Sequence, residues 1–289
     1  MPATQLSSTI PLAQKANAQA PIGIFDSGIG GFSVAQEIAK HLPNEKFIYF
    51  ADTAHVPYGP RSGDDIRKLT AQAIEWLYQQ GCKAVVVACN TASAFSLDYL
   101  REYYGEAFPI IGLVPALKPA VLNSHSKVVA VLATPATFRG QLIKDVIHHF
   151  AEPAGVRVLP ITCLELVPLI EAGEQMSSAC LTLLKQVLDP AAQQGADYLV
   201  LGCTHYPFLK APIEHLFGTQ FSLIDSGKAV ARQTSRILMK YERLNDQHSS
   251  QDAVRIACFA SGGNADQLRI ILQRMMPEQA NWEIHNISI

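Results

Sequence analysis

From Pro21 onward, short apolar runs alternate with stretches in which apolar positions recur every three or four residues. Residues 22–25, 47–51, 84–88, 110–114, 128–133, 156–161, 198–202 and 221–224 are continuously or nearly continuously apolar, the pattern of strands buried on both faces. The intervening stretches read as helices. Ser33 and Gln36 make a candidate capping box ahead of Val34, Ile38 and Leu42. Ile66, Leu69, Ala73 and Leu77 share one helical face that Gly81 closes, and Leu181, Leu184 and Leu188 share another. Strands of this kind alternating with helices predict an α/β fold of mainly parallel sheets flanked by helices.

The pattern also repeats itself. Val-Val-Ala-Cys-Asn-Thr at 86–91 is echoed by Val-Leu-Gly-Cys-Thr-His at 200–205, and Asp26-Ser27-Gly28 by Asp225-Ser226-Gly227. The echoes suggest two related lobes, each presenting a cysteine just past a central strand: Cys89 and Cys203, 114 residues apart. Eight strands also suit a (β/α)₈ barrel, which stays open as the alternative.

Composition narrows the class of protein. The chain has 289 residues, 17% of them charged, with 23 basic against 25 acidic side chains. It has no basic stripe to bind nucleic acid, and its longest charge-free internal run, 84–97, is too short and too polar for a membrane span. The first 20 residues are polar, are broken by Pro2 and Pro11, and lack the apolar segment of a secretory signal. They read as a flexible extension, and the expected compartment is the cytoplasm, where thiols stay reduced. The six cysteines include no CxxC pair, so neither a disulfide framework nor a metal site is expected.

In an open parallel sheet, ligands bind beyond the carboxyl ends of the strands. Cys89 and Cys203 sit there, each followed by residues able to start a helix, whose N–H groups favour anions. One cysteine beside a histidine would suggest acyl transfer. Two facing one cleft suggest removal of a proton from one side of a carbon and its return on the other, with one thiolate and one thiol at any moment. Asp26 and His205 are the groups placed to hold those states. Gly28, Gly30 and Gly31 resemble a nucleotide loop only superficially, because Ser33 occupies the third glycine position of G-x-G-x-x-G. The Pro57–Arg61 segment, PYGPR, is a turn by composition.

DSGIGG at 26–31, ADTAHVPYGPR at 51–61, ACNTAS at 88–93 and GCTHYP at 202–207 together resemble the glutamate racemases of the aspartate/glutamate racemase family. The match runs in order from Ile22 to about Tyr241, and the strand-helix tail after Ala253 is also typical. The resemblance implies two pseudo-symmetric lobes with the active site between them. Residues 21–97 and 208–289 would form the first lobe and 98–207 the second. It implies cofactor-independent interconversion of L- and D-glutamate, supplying D-glutamate for peptidoglycan. Cys89 and Cys203 would be the two acid/base thiols, facing D- and L-glutamate respectively. Asp26, His205 and Glu171 would assist them, and Asp26, Ser27, Tyr58, Gly59, Asn90, Thr91, Thr204 and His205 would contact substrate. A homodimer, or a monomer, is implied, and the N-terminal extension resembles that of forms activated by a cell-wall precursor, whereas the body resembles forms without that requirement. The alternatives are a racemase of aspartate or another acidic amino acid, a thiol hydrolase using Cys203 and His205, and a non-catalytic binding protein.

Overall fold

The apolar runs become strands that pair side by side into two sheets. The computed structural model describes residues 17–246, 256–263, 265–275 and 282–287. The first sheet contains β1 (Ile22–Asp26), β2 (Phe47–Ala51), β3 (Ala84–Val87), β4 (Ile110–Gly112), β9 (Ile256–Ser261) and β10 (Trp282–Ile287), in the order β10-β9-β2-β1-β3-β4. The second contains β5 (Val128–Ala133), β6 (Arg157–Ile161), β7 (Tyr198–Gly202) and β8 (Ser222–Ile224), in the order β6-β5-β7-β8. Every pairing among the described residues is parallel. Two open sheets replace the barrel alternative.

Helices cover the first sheet: α1 (Phe32–His41), α2 (Gly63–Gln79), α3 (Asn90–Tyr104), α10 (Gly227–Lys240) and α11 (Ala265–Met275). The second carries α4 (Leu117–Asn123), α5 (Pro135–Arg139), α6 (Gln141–Val146), α7 (Leu166–Glu171), α8 (Ser178–Gln193) and α9 (Lys210–Phe217). The strands divide their side chains between two cores, as their unbroken apolarity requires. Ile22, Ile24 and Val86 pack under α1 and α10, whereas Phe25, Val85 and Val87 pack under α2 and α3. In the second lobe Ala130 and Leu132 face one core, and Val129 and Val131 the other. Each fully buried aliphatic side chain of this size contributes about 1.5–3 kcal/mol.

The structure corrects three expectations. β4 bonds to β3 and β8 to β7, so residues 110–112 stay in the first lobe and 222–224 stay in the second. The chain therefore crosses after β4 and again after β8, rather than at 97/98 and 207/208. An apolar strand next to an unpaired sheet edge satisfies its backbone groups there before the chain departs. The two crossing segments lie side by side, with Ser226 Oγ donating to Val114 O at 2.7 Å. Next, α1 begins at Phe32 with no side-chain cap, and the Ser33–Gln36 capping box does not form. The Ser33 hydroxyl is instead committed to Gly30 O at 2.8 Å and Thr204 O at 2.9 Å. Finally, residues 17–20 of the expected flexible extension are held: Ala20 N–H donates to Asn17 O, and the buried Lys83 ammonium donates to Ala18 O. Residues 1–16 of that extension lie outside the described residues.

The helix expected on the face of Ile66, Leu69, Ala73 and Leu77 follows its sequence signals. Ser62 caps α2 through a bond from Asp65 N–H, and Gly81, in the left-handed region, follows its end. No helix among the described residues is long and apolar enough to cross a membrane.

Candidate active site

The order β2-β1-β3-β4 in one sheet and β6-β5-β7-β8 in the other makes β3 and β7 topological equivalents. Cys89 follows β3 and Cys203 follows β7, so the cysteine echo records a true structural repeat. The Asp-Ser-Gly echo does not: Asp26 ends central β1, whereas Asp225 follows edge strand β8 and pairs with Lys210. The carboxyl ends of both sheets meet at one cleft. Ser27, Tyr58, Gly59, Cys89, Asn90, Thr91, Cys203, Thr204 and His205 all line it. Asp26 and Glu171 stand one side chain behind, bonded to Thr204 and His205.

Cys89 is the N-cap of α3: its sulfur accepts from Ala92 N–H at 3.4 Å and lies 3.6 Å from Ser27 Oγ. Burial, reinforced by the Asp26 charge, pushes this thiol well above the ordinary cysteine range. Cys203 Sγ lies 3.8 Å from His205 Nδ1, and His205 Nε2 lies 2.9 Å from Glu171 Oε1. Burial alone would lower the His205 pKa, but its hydrogen bonds to Cys203 and Glu171 outweigh that and hold it well above the usual value. The ring stands between two groups able to accept, the Cys203 sulfur and the Glu171 carboxylate.

Asp26 ties the two corners together. Its Oδ2 accepts from Gly28 N–H and Gly31 N–H, both at 3.0 Å, and its Oδ1 accepts from Thr204 Oγ1 of the other lobe at 3.2 Å. Burial raises its pKa to about 6, against the pull of His205 and these three donors. The glycines around it permit the lobes to close on each other. A Cβ on Gly30 would sit 2.5 Å from both His205 Nδ1 and Thr204 Oγ1, so any larger residue would displace the histidine.

Two features went unread in the sequence. Thr134 also lines the cleft, bonded at 2.9 Å to Thr91 Oγ1 across the lobes and to Thr137 Oγ1. Its signal was available: a strand end, then threonine and proline, is the grammar of a helix N-cap. Leu164 and Val167 supply an apolar wall that no local pattern marks as functional. Asn90 Oδ1 is buried without a hydrogen-bond partner, which leaves an acceptor at the cleft. Among the described residues no lysine or arginine lines the cleft, and no group of three histidine, cysteine or acidic side chains is arranged to hold a metal ion.

Known proteins share both sequence and architecture. The profile of the Asp/Glu/Hydantoin racemase family matches residues 30–234. A glutamate racemase of Deinococcus radiodurans is 60% identical over 261 residues, covering 90% of this chain and 88% of that protein. The crystal structure of the glutamate racemase isoform RacE1 from Bacillus anthracis superposes with a TM-score of 0.81 at 29% identity, over 94% of this chain and 98% of that one. Escherichia coli glutamate racemase, solved with L-glutamate and the activator UDP-MurNAc-Ala, gives a TM-score of 0.76 at 33% identity, over 93% and 97% of the two chains. Sequence profile, relatives and topology agree, and the chain belongs to the aspartate/glutamate racemase family.

Proposed function

We propose that this protein interconverts L- and D-glutamate without a cofactor, by proton transfer at the α-carbon between Cys203 and Cys89. The observation that carries the reading is the placement of two cysteines at equivalent strand ends, one from each lobe, on a single cleft. With L-glutamate bound, the Cys203 thiolate takes the α-proton: the C–H bond breaks and an S–H bond forms. Cys89 then gives its own proton to the opposite face, leaving D-glutamate and a thiolate at Cys89. The reverse reaction exchanges the roles.

The two environments suit a start from L-glutamate. Burial and the nearby Asp26 carboxylate keep Cys89 in its protonated form, ready to donate. The His205 ring, 3.8 Å from Cys203 and 2.9 Å from Glu171, is when protonated the electrostatic partner that a thiolate needs. Substrate carboxylates would lie against backbone N–H groups at the start of α3, where the helix dipole favours anions. The unpartnered Asn90 Oδ1 is an acceptor for the substrate ammonium. Ser27, Tyr58, Gly59, Thr91 and Thr204 complete the contacts, with Thr134 added to that set.

The test is incubation of metal-free, pyridoxal-free protein with L-glutamate in deuterated water. Formation of D-glutamate carrying one α-deuterium supports the reading, and absence of both inversion and wash-in overturns it. Aspartate in a parallel assay separates the two acidic substrates. D-glutamate made this way would enter peptidoglycan in the cytoplasm. The Escherichia coli relative was solved with UDP-MurNAc-Ala, so that precursor is the effector to add to the assay. Sedimentation decides between homodimer and monomer.

A further inference from the structure

The loop after β2 reaches the cleft at Tyr58 and Gly59, yet its outer anchor lies on a strand from near the end of the chain. Tyr58 is buried, and its hydroxyl donates to Asp52 Oδ2 at 2.6 Å. Asp52 directly follows β2, is 3% exposed, and donates its own N–H to Asp26 O at 3.0 Å. Its carboxylate accepts from Ser261 Oγ at 2.8 Å and from His55 Nδ1 at 2.9 Å. Ser261 ends β9, and the loop is tied back to it twice more. Thr53 Oγ1 donates to Ser261 O at 2.5 Å, and Ala54 N–H donates to Ser261 Oγ at 3.0 Å. These bonds cross-tie two neighbouring strands just beyond the sheet, since β2 and β9 are paired up to Ala51 and Ala260.

The bonding changes what Tyr58 can do. A carboxylate has no proton to give, so the phenol commits its single proton to Asp52. The hydroxyl then has only lone pairs left and cannot donate to a substrate carboxylate. What Tyr58 brings to the cleft is a fixed ring and the backbone of residues 57–59, and both depend on Asp52 staying in place. The bonds from Ser261 fix Asp52 from outside, on a strand that lies beyond residue 234, where the family profile ends.

We infer that Asp52 is the positioning residue for the substrate-binding loop 57–59, and that β9 supports the active site through Ser261. This deepens the racemase reading and rests on it for the role of the loop. Because the loop binds substrate without moving a proton, its loss should appear in KM rather than kcat.

The experiment compares Asp52→Asn, Tyr58→Phe, Ser261→Ala and Ser261→Thr, with the Asp52→Asn/Tyr58→Phe pair, on both enantiomers of glutamate. Hydrogen exchange of the 52–61 segment is followed in parallel. Asp52→Asn and Tyr58→Phe should each raise KM about tenfold while kcat stays within about threefold. The pair should be no worse than its worse member, because the two side chains act as one unit. Ser261→Ala should raise KM by about threefold and speed exchange only within 52–61, and Ser261→Thr, which keeps the hydroxyl, should restore both. Unchanged KM in Asp52→Asn, additive losses in the pair, or faster exchange throughout the first lobe would overturn the inference. If the wild-type protein does not racemise glutamate, the substrate reading fails separately. The exchange arm then decides alone: loosening confined to 52–61 in Ser261→Ala keeps the positioning role, and unchanged exchange removes it.

Discussion

The Cys89 and Cys203 corners occupy the same place in two copies of one topology, yet they are built from different neighbours. Cys89 caps a 15-residue helix in a buried, carboxylate-flanked site. Cys203 caps no helix: a 3₁₀ turn, Tyr206–Leu209, intervenes before α9, and the sulfur takes its partner from the side, His205, backed by Glu171. Asp26 touches both, next to Cys89 in its own lobe and bonded to Thr204 in the other. The difference teaches that a symmetric fold need not give symmetric chemistry. The repeat fixes where the sulfurs stand, while unrelated neighbours give each its own electrostatic surroundings.

The most severe test of that comparison removes either sulfur. Cys89→Ala and Cys203→Ala should each lower racemisation by about 10³-fold or more, because a single base can take and return a proton on one face only. Each variant should retain deuterium wash-in on one enantiomer, D-glutamate for Cys203→Ala and L-glutamate for Cys89→Ala. Equal racemisation by both folded variants would refute the two-thiol assignment, and loss confined to Cys203→Ala would favour a Cys–His hydrolase.

Glu171→Gln probes the support of one corner and should cost about tenfold in kcat/KM. Enantiomers have equal free energies, so kcat/KM must fall equally in both directions. The asymmetry should appear in kcat and in wash-in, with L-glutamate the more affected. A loss confined to D-glutamate would reverse the assigned sides.

Asp26 connects activity to stability with opposite signs. Its pKa in the folded protein is about 6, above the ordinary 3.8, so the native state binds the extra proton between those values. Stability therefore falls as pH rises through that window. Asp26→Asn should raise the stability at pH 7 by up to about 3 kcal/mol, a gain that disappears below about pH 4, while activity drops about tenfold. Thermal melts at pH 4 and pH 7 measure it, and an equal shift at both would show that the buried charge is not the cause.

The smallest effect is expected at the false echo. Asp225→Asn should change racemisation less than about twofold and cost about 0–1 kcal/mol, since its pair with Lys210 is partly exposed. A large loss of activity would mean that the second Asp-Ser-Gly has a role which its edge position does not suggest.

Much of this was legible because it is local. The unbroken apolarity of 84–88 announces a strand covered on both faces, and the cysteine that follows marks its carboxyl end. What escaped was set by partners distant in sequence. Ser33 looks like a cap by its spacing to Gln36, but its hydroxyl is claimed by Thr204 O, 171 residues away. Thr134 gains its place from Thr91, in a different lobe. The crossing points were misplaced because 110–112 and 222–224 read equally well in either sheet. Periodicity identifies a strand without naming its neighbour.

The bond from Ser226 Oγ to Val114 O has a further consequence. Everything from 115 to 225 leaves and re-enters the first lobe through a single doorway, so the second lobe is a cassette whose two ends touch. Its removal would leave a gap that one or two residues could bridge, and a foreign α/β cassette with equally close ends could be spliced in its place. Mechanically, the doorway is a pin. Each lobe is a sheet clad in helices, and any change in the gap between the sulfurs would have to bend the two adjacent connectors and break the bonds that Thr204 and Thr134 make across the cleft.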